Sequence, residues 1–163
     1  MISIVMLGVG SEAEATLASW QAEAERQGQQ SEALLLEPTS ENPFKSVLSK
    51  AIRDAQGEVL LFVAPGIKPQ SKSVSDCLQA IQGGAIGGGF WSIADHPQSL
   101  LTRAKGAMSA FLRGILKRTD GTVVFCSLKV ARSLSGVPEA ISDWPSFVSA
   151  LQKKGRFVVP RSP

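Results

Sequence analysis

Apolar residues in the first part of the chain fall into short continuous runs and into runs spaced three or four apart. The short runs at Ile2–Leu7, 33–37 and 58–63 predict three buried strands. Apolar residues at helical spacing between these runs predict two helices. Three strands separated by two helices are typical of a parallel α/β sheet with right-handed crossovers.

Polar residues and glycines mark where the two helices begin and end. Ser11 and Glu14 have the Ser-x-x-Glu spacing of a capping box, which predicts the start of the first helix. Ser40 and Pro43 predict the start of the second helix, and Gly57 its end.

The second half of the chain has a less regular pattern, although its order is still that of an α/β domain. Residues 83–90 include five glycines and predict a glycine-rich strand or a bulged turn. The other expected elements are helices at 74–81, 99–118, 128–134 and from Ser142, with strands at 122–126 and 156–160. We expect residues 1–163 to form a single domain, since this length is typical of one.

Composition narrows the class of protein. Hydrophobic residues make up 44% of the chain and charged residues 19%, which excludes a disordered protein. No apolar run has the length of a membrane-spanning helix, and the apolar start lacks the basic segment of a signal peptide, so a cytoplasmic location is expected. Cys77, Cys126 and His96 do not have metal-ligand spacing, and we expect two reduced structural thiols.

Charge is distributed unevenly along the sequence. Residues 1–60 carry nine acidic and four basic residues, a net charge of −5, whereas residues 61–163 carry five acidic and thirteen basic residues, a net charge of +8. A basic half favours anionic partners without choosing among them. The low aromatic content of 6% argues against binding of single-stranded nucleic acid, and no nucleic-acid partner is expected.

A glycine motif lies between the first strand and the first helix. Gly8, Gly10 and Ala13 fit the pattern G-x-G-x-x-A, and Glu37 ends the second strand, where a ribose-binding acid would lie. This arrangement is typical of proteins that bind NAD or a flavin. The alternative is that the two glycines only form a tight turn.

The order of segments along the whole chain resembles that of family 2 glycosyltransferases with the GT-A fold. It is most similar to the short glycosyltransferase-like proteins associated with radical-SAM enzymes. The segments that carry the likeness are Ile2-Ser-Ile-Val5, Leu34-Leu-Leu-Glu37 with Pro38-Thr-Ser40, Gly57-Glu-Val-Leu-Leu-Phe62, Gly88-Gly-Phe90 with His96-Pro97, Gly121 to Phe125, Leu134 to Glu139, and Asp143 to Arg156. The resemblance implies a three-layer α/β fold with a mainly parallel central sheet and a site for a nucleotide sugar such as a UDP-sugar.

The sequence departs from the family pattern at the positions that carry chemistry. Family members have Asp-x-Asp after the third strand to hold a divalent cation, and this chain has Ala64-Pro65-Gly66. The family's Asn-Glu pair is replaced by Gly10-Ser11, with Glu12 one residue further along. We therefore expect no divalent metal and no metal-dependent sugar transfer.

The resemblance also implies roles for individual residues. Asp143 corresponds to the family's general base, although Asp143 with Ser142 equally suits a helix cap. Glu37 and Ser40 correspond to positions that contact the nucleotide, and the alternative for Glu37 is a solvated strand end.

A basic segment could add a membrane contact. The predicted helix at 99–118 has five basic residues and no acidic one, so it could lie on an anionic membrane or simply be solvated on its polar side. The bases are Arg103, Lys105, Arg113, Lys117 and Arg118.

Three functions remain open from the sequence. The first is a degenerate glycosyltransferase-like domain that binds a nucleotide or a protein partner. The second is an active, metal-independent glycosyltransferase, and the third is an NAD- or flavin-binding protein.

Overall fold

The computed structural model describes residues 1–8, 10–37, 43–90, 123–134, 141 and 144–160. Strands and helices alternate along most of this part of the chain. The elements are β1 (Ile2–Leu7), α1 (Ser11–Arg26), β2 (Ser31–Leu36), α2 (Pro43–Asp54), β3 (Val59–Val63), α3 (Ser73–Gln82), β4 (Gly87–Gly89), β5 (Val123–Ser127), α4 (Leu128–Ser133), α5 (Trp144–Gln152) and β6 (Phe157–Val158).

The described strands form one six-stranded sheet in the order β2-β1-β3-β5-β4-β6. β1 pairs in parallel with β2 and with β3, in a register that places Ile4 beside Ala33 and Leu61. β5 is antiparallel to both of its neighbours, and β4 and β6 pair in parallel. The mainly parallel sheet and its first three neighbouring parallel strands confirm the fold predicted from the sequence.

Helices cover both faces of the sheet and produce three layers. Alternate residues of a strand point to opposite faces, so Ile4 and Met6 of β1 pack under α1 and α3, and Val5 packs under the other helices. Trp20 fills the first core, and Phe147 contacts Phe62 edge-on in the second. The buried apolar residues of α1 and α2 therefore lie on the sides of the helices that cover the sheet.

Some local predictions differ from the structure. Gly10, with φ +94°, is the N-cap of α1, and no side chain caps the helix there. The capping box of Ser11 and Glu14 is therefore wrong, because Ser11 already lies within the helix. Residues 87–89 form a strand, which is the first of the two alternatives predicted for the glycine-rich segment, and the predicted helix at 99–118 lies outside the described residues.

The end of the sheet where β1 and β3 begin is closed by a polar junction. The Glu32 carboxylate accepts hydrogen bonds from the Ser3 hydroxyl and from the backbone nitrogens of Gln56, at 2.6 Å, and Gly57, at 3.0 Å. The Gly57 nitrogen also lies 2.8 Å from Ser3 Oγ. A methyl group on Gly57 would lie only 2.6 Å from the Ser3 nitrogen, so this glycine is required for the close approach to β1.

No helix among the described residues is long and apolar enough to span a membrane.

Candidate functional site

The carboxyl ends of β1, β2 and β3 meet at one edge of the sheet, because these three strands are parallel and adjacent. Open α/β sheets bind ligands outside the carboxyl ends of their strands. Gly8 follows β1, and its nitrogen donates a hydrogen bond of 3.3 Å to the Leu36 carbonyl of β2. Glu37 follows Leu36 and is exposed, so the fold brings Gly8 and Glu37 to the same edge.

Gly8 lies between the first helix and the loop that follows β3, close to both. Its φ of +150° disfavours other residues, and a methyl group on Gly8 would lie 3.1 Å from Pro65 Cγ and 3.6 Å from Ala13 Cβ. Pro65 thus packs beside the start of α1. The first glycine of the motif therefore has a structural reason that does not require a dinucleotide.

The loop after β3 is fixed to α1 by two side chains of that helix. The Thr16 hydroxyl accepts a hydrogen bond of 2.9 Å from the Gly66 nitrogen and donates one of 2.7 Å to the Glu12 carbonyl oxygen. The indole nitrogen of Trp20 donates a hydrogen bond of 2.8 Å to the Ile67 carbonyl oxygen. Thr16 and Trp20 are both buried, so the loop is held on a rigid support.

Glu12 brings a carboxylate to this loop. A methyl group on Gly66 would lie 3.1 Å from Oε1 of Glu12, which shows that the carboxylate lies against Gly66. Glu12 is exposed and is in the first turn of α1, so its side chain is open to a ligand. Gly66 itself has φ +80°, a conformation that most side chains disfavour.

The predicted site residues are only partly brought together by the described structure. Gly8, Gly10 and Glu37 lie at the carboxyl edge, and Gly10 is exposed at the start of α1. Ser40 and Asp143 lie outside the described residues, as do the five bases of the predicted basic helix. Glu12 was not among the predicted site residues, although its position one residue from the family's Asn-Glu pair was a signal for it.

The donor set at this edge suits a cation that is also held by another ligand. No group of three or more His, Cys, Asp or Glu side chains converges within the described ranges. A hard divalent cation is commonly bound through one or two carboxylates together with substrate phosphates and water. Glu12 can supply one such carboxylate oxygen, and the residues present fit a cation bound together with a diphosphate.

Comparison with known proteins gives no match by sequence. No family model matches the chain, and no curated protein matches it.

Solved structures match the fold. The glucosyl-3-phosphoglycerate synthase of Mycobacterium tuberculosis, in complex with Mn²⁺, UDP and phosphoglyceric acid, superposes with a TM-score of 0.60 at 13% identity, over 97% of this chain and 66% of that one. A glycosyltransferase involved in glycosylation of the major capsid of PBCV-1 gives 0.54 at 13% identity, over 98% and 81%. A197 from STIV gives 0.54 at 9% identity, over 98% and 81%. The chain therefore has a GT-A-like fold, as the resemblance implied.

The expectation of no divalent metal is contradicted by these comparisons. The matched synthase, which shares the fold, contains Mn²⁺ together with UDP. The prediction rested mainly on the absence of carboxylates at Ala64 and Gly66. It gave no metal-binding role to the carboxylate of Glu12, which α1 places against the same loop.

The interpretation as an NAD-binding protein with the classic dinucleotide fold does not fit the sheet. In the classic dinucleotide fold, the third strand lies beyond the second, on the same side of the first. Here β3 lies on the opposite side of β1 from β2, and an antiparallel strand, β5, follows it in the sheet.

Proposed function

We propose that residues 1–163 form a single glycosyltransferase-like domain that binds a nucleoside diphosphate sugar, such as a UDP-sugar, together with a divalent cation. The observation that carries this proposal is the contact of Glu12 with the loop after β3, at the carboxyl edge of a GT-A-like sheet. The complexes of the matched synthase with UDP and Mn²⁺ support this class of ligand.

The start of α1 supplies the diphosphate site in this proposal. The first intrahelical hydrogen bond runs from the Glu14 nitrogen to the Gly10 carbonyl at 3.2 Å, so the amides that precede Glu14 have no partner within the helix. Free amides and the positive end of the helix dipole favour a phosphate. Glu37 and Ser40, which follow β2 in the sequence, are proposed to contact the nucleoside.

Charge explains why the nucleotide would bind with a cation. Glu12 and Glu14 both lie in the first turn of α1, and their negative charges oppose a bare diphosphate. A cation at Glu12 would reverse this repulsion and, when bound, would neutralise charge on the diphosphate and on the leaving nucleotide. Glu12 would hold this cation, and Thr16 would keep the loop beside it.

The proposal separates binding from sugar transfer. Ala64 and Gly66 carry no carboxylate, so the loop offers fewer cation ligands than an Asp-x-Asp motif. We therefore propose a degenerate transferase in which nucleotide-sugar binding is retained and transfer is weak. We propose Asp143 as the remaining general base. We also propose that the domain with its nucleotide sugar bound interacts with a protein partner.

Thermal unfolding with UDP, with Mn²⁺ and with both together tests the proposed ligand. A ligand that binds only the native state raises the midpoint temperature, and the largest rise is expected for UDP with Mn²⁺. Glu12→Gln should remove the increment that Mn²⁺ adds, and stabilisation by UDP without Mn²⁺ should be kept or increased because one opposing charge is lost. Glu14→Gln is the matched control, because it removes an exposed carboxylate from the same helical turn.

Two outcomes would contradict this function. If UDP does not raise the midpoint temperature with Mn²⁺ or without it, the nucleotide site is excluded. An equal loss of the Mn²⁺ increment in both variants would show a general charge effect and would remove Glu12 from the site.

A further inference from the structure

The helices on the two faces of the sheet differ in net charge. Helices α1 and α3, which cover one face of the sheet, carry five acidic residues and one basic residue, a net charge of −4. Helices α2 and α4 cover the other face and carry five basic residues and one acidic residue, a net charge of +4. Helix α5 lies on this second face and is uncharged. The two faces of the sheet are thus covered by helices of opposite net charge.

The basic face presents cations that the described protein does not neutralise. Lys50 of α2 and Lys129 of α4 are exposed, and neither forms an ion pair with any described residue. Arg132 is exposed and donates a hydrogen bond of 3.1 Å to the Ala55 carbonyl beyond the end of α2, which joins the two helices. Lys153 and Lys154 directly follow α5, whose apolar residues pack on this face, and both are exposed.

We propose that this basic face, formed by α2, α4 and residues 153–154, docks on an anionic phospholipid membrane. Clusters of four to eight Lys and Arg residues are typical of surfaces that bind anionic lipids. The acidic face on the opposite side would be repelled by the same surface, so the charge pattern selects one orientation. The proposal is independent of the nucleotide site, and it uses no residue of the predicted helix at 99–118.

Other anionic partners fit this face less well. Met1 is the one large apolar side chain that is exposed among the side chains that the structure describes, so those side chains offer no exposed aromatic ring on which a base of a single strand could stack. Contact between the basic face of one copy and the acidic face of another would be heterologous, and such contacts form rings or open filaments. An anionic lipid surface contacts all basic residues of this face at once. It requires neither an exposed aromatic ring nor assembly into rings or filaments.

This docking has a consequence for the site. The sheet lies between the two helical layers, so a domain resting on its basic face holds the sheet along the membrane plane. The carboxyl edge with Glu12 and Glu37 then opens sideways, towards ligands at the membrane surface.

Vesicle co-sedimentation of the full chain tests the proposal. Vesicles containing phosphatidylserine should bind the protein, vesicles of pure phosphatidylcholine should not, and added salt should weaken binding. The variant Lys50→Gln with Lys129→Gln should bind roughly thirtyfold more weakly, about fivefold for each basic residue near the surface. The control variant Arg26→Gln with Lys72→Gln removes the same charge from exposed positions on the side of α1 and α3, and should bind like the wild type.

Equal weakening in both variants would overturn the proposal, because it would show an effect of net charge alone. Duplex DNA provides the competing ligand. Tighter binding to DNA than to phosphatidylserine vesicles, with the same dependence on Lys50 and Lys129, would assign the face to nucleic acid.

Discussion

Gly88 lies directly against the ring of Phe125 on the neighbouring strand. A methyl group at Gly88 would come within 2.6 Å of Phe125 Cε1 and would also collide with the Val158 carbonyl oxygen of β6. The glycine-rich segment is therefore not a bulged turn. It is a buried strand whose missing side chains leave room for the Phe125 ring, which also packs against Phe90 at a ring separation of 5.7 Å.

Gly88→Ala should destabilise the protein by more than about 3 kcal/mol, because backbone and ring must both move to admit the methyl group. Gly83→Ala is the control, since a methyl group there would meet its nearest contact, the Gln79 carbonyl oxygen, at 3.2 Å. We expect a change within about 1 kcal/mol for that variant. Urea unfolding measures both, and equal stability of the two variants would contradict the packing explanation.

Glu32 should make stability depend on pH in the acid range. Burial acts to raise its pKa, but hydrogen bonds from Ser3, Gln56 and Gly57 outweigh burial and lower the pKa below its ordinary value. A carboxyl group whose pKa is lower in the folded state stabilises the protein above its unfolded pKa of about 4.3. This contribution is lost as the pH falls through the folded pKa.

Glu32→Gln should therefore lower the free energy of unfolding at neutral pH and flatten its decline below about pH 4.3. Glu58→Gln is a suitable control, because Glu58 is an exposed carboxylate at the same end of the sheet. Urea unfolding at a series of pH values measures the difference. A Glu32→Gln curve parallel to that of the wild type would show that the junction is not linked to protonation.

The sequence predicted β1 and β3 well because continuous apolar runs mark strands buried on both faces, whereas β2, at the edge of the sheet, is only partly buried. It did not predict that β5 is antiparallel, since the apolar pattern of residues 123–126 is the same in either direction. The contact between Glu12 and Gly66 was missed for a related reason. The two residues are far apart in sequence, and their contact exists only once α1 packs beside the loop.

The distribution of charge over the two faces also could not be predicted from the sequence alone. Division of the chain into halves gives an acidic and a basic part, but α2 belongs to the acidic half by sequence and to the basic face in the structure. Crossovers place successive helices on opposite faces, so the fold rearranges the charges. The topology was therefore needed before the basic face could be defined.

The two cysteines should be unreactive in the native protein. Cys77 and Cys126 are free and buried in the cores on opposite faces of the sheet. Burial raises the pKa of Cys126 to about 12, and burial, with a smaller effect of the Asp76 charge, raises the pKa of Cys77. Thiolate is the reactive form, so Ellman's reagent at pH 8 should modify neither thiol before unfolding and both in denaturant. Rapid reaction of one thiol in native buffer would contradict the buried placement.

The Thr16 hydroxyl connects α1 to the loop after β3, and its removal should affect both stability and the site. Thr16→Val keeps the shape of the side chain but leaves the Gly66 nitrogen without its acceptor, at a cost of about 1–3 kcal/mol. Thr16→Ser retains the hydroxyl and loses only a methyl group, so about 1 kcal/mol is expected. Because the loop lies against Glu12, Thr16→Val should also weaken calorimetric binding of UDP with Mn²⁺, and Thr16→Ser should preserve it. Thr16→Val binding that equals Thr16→Ser binding would show that the hydroxyl supports the fold without positioning the site.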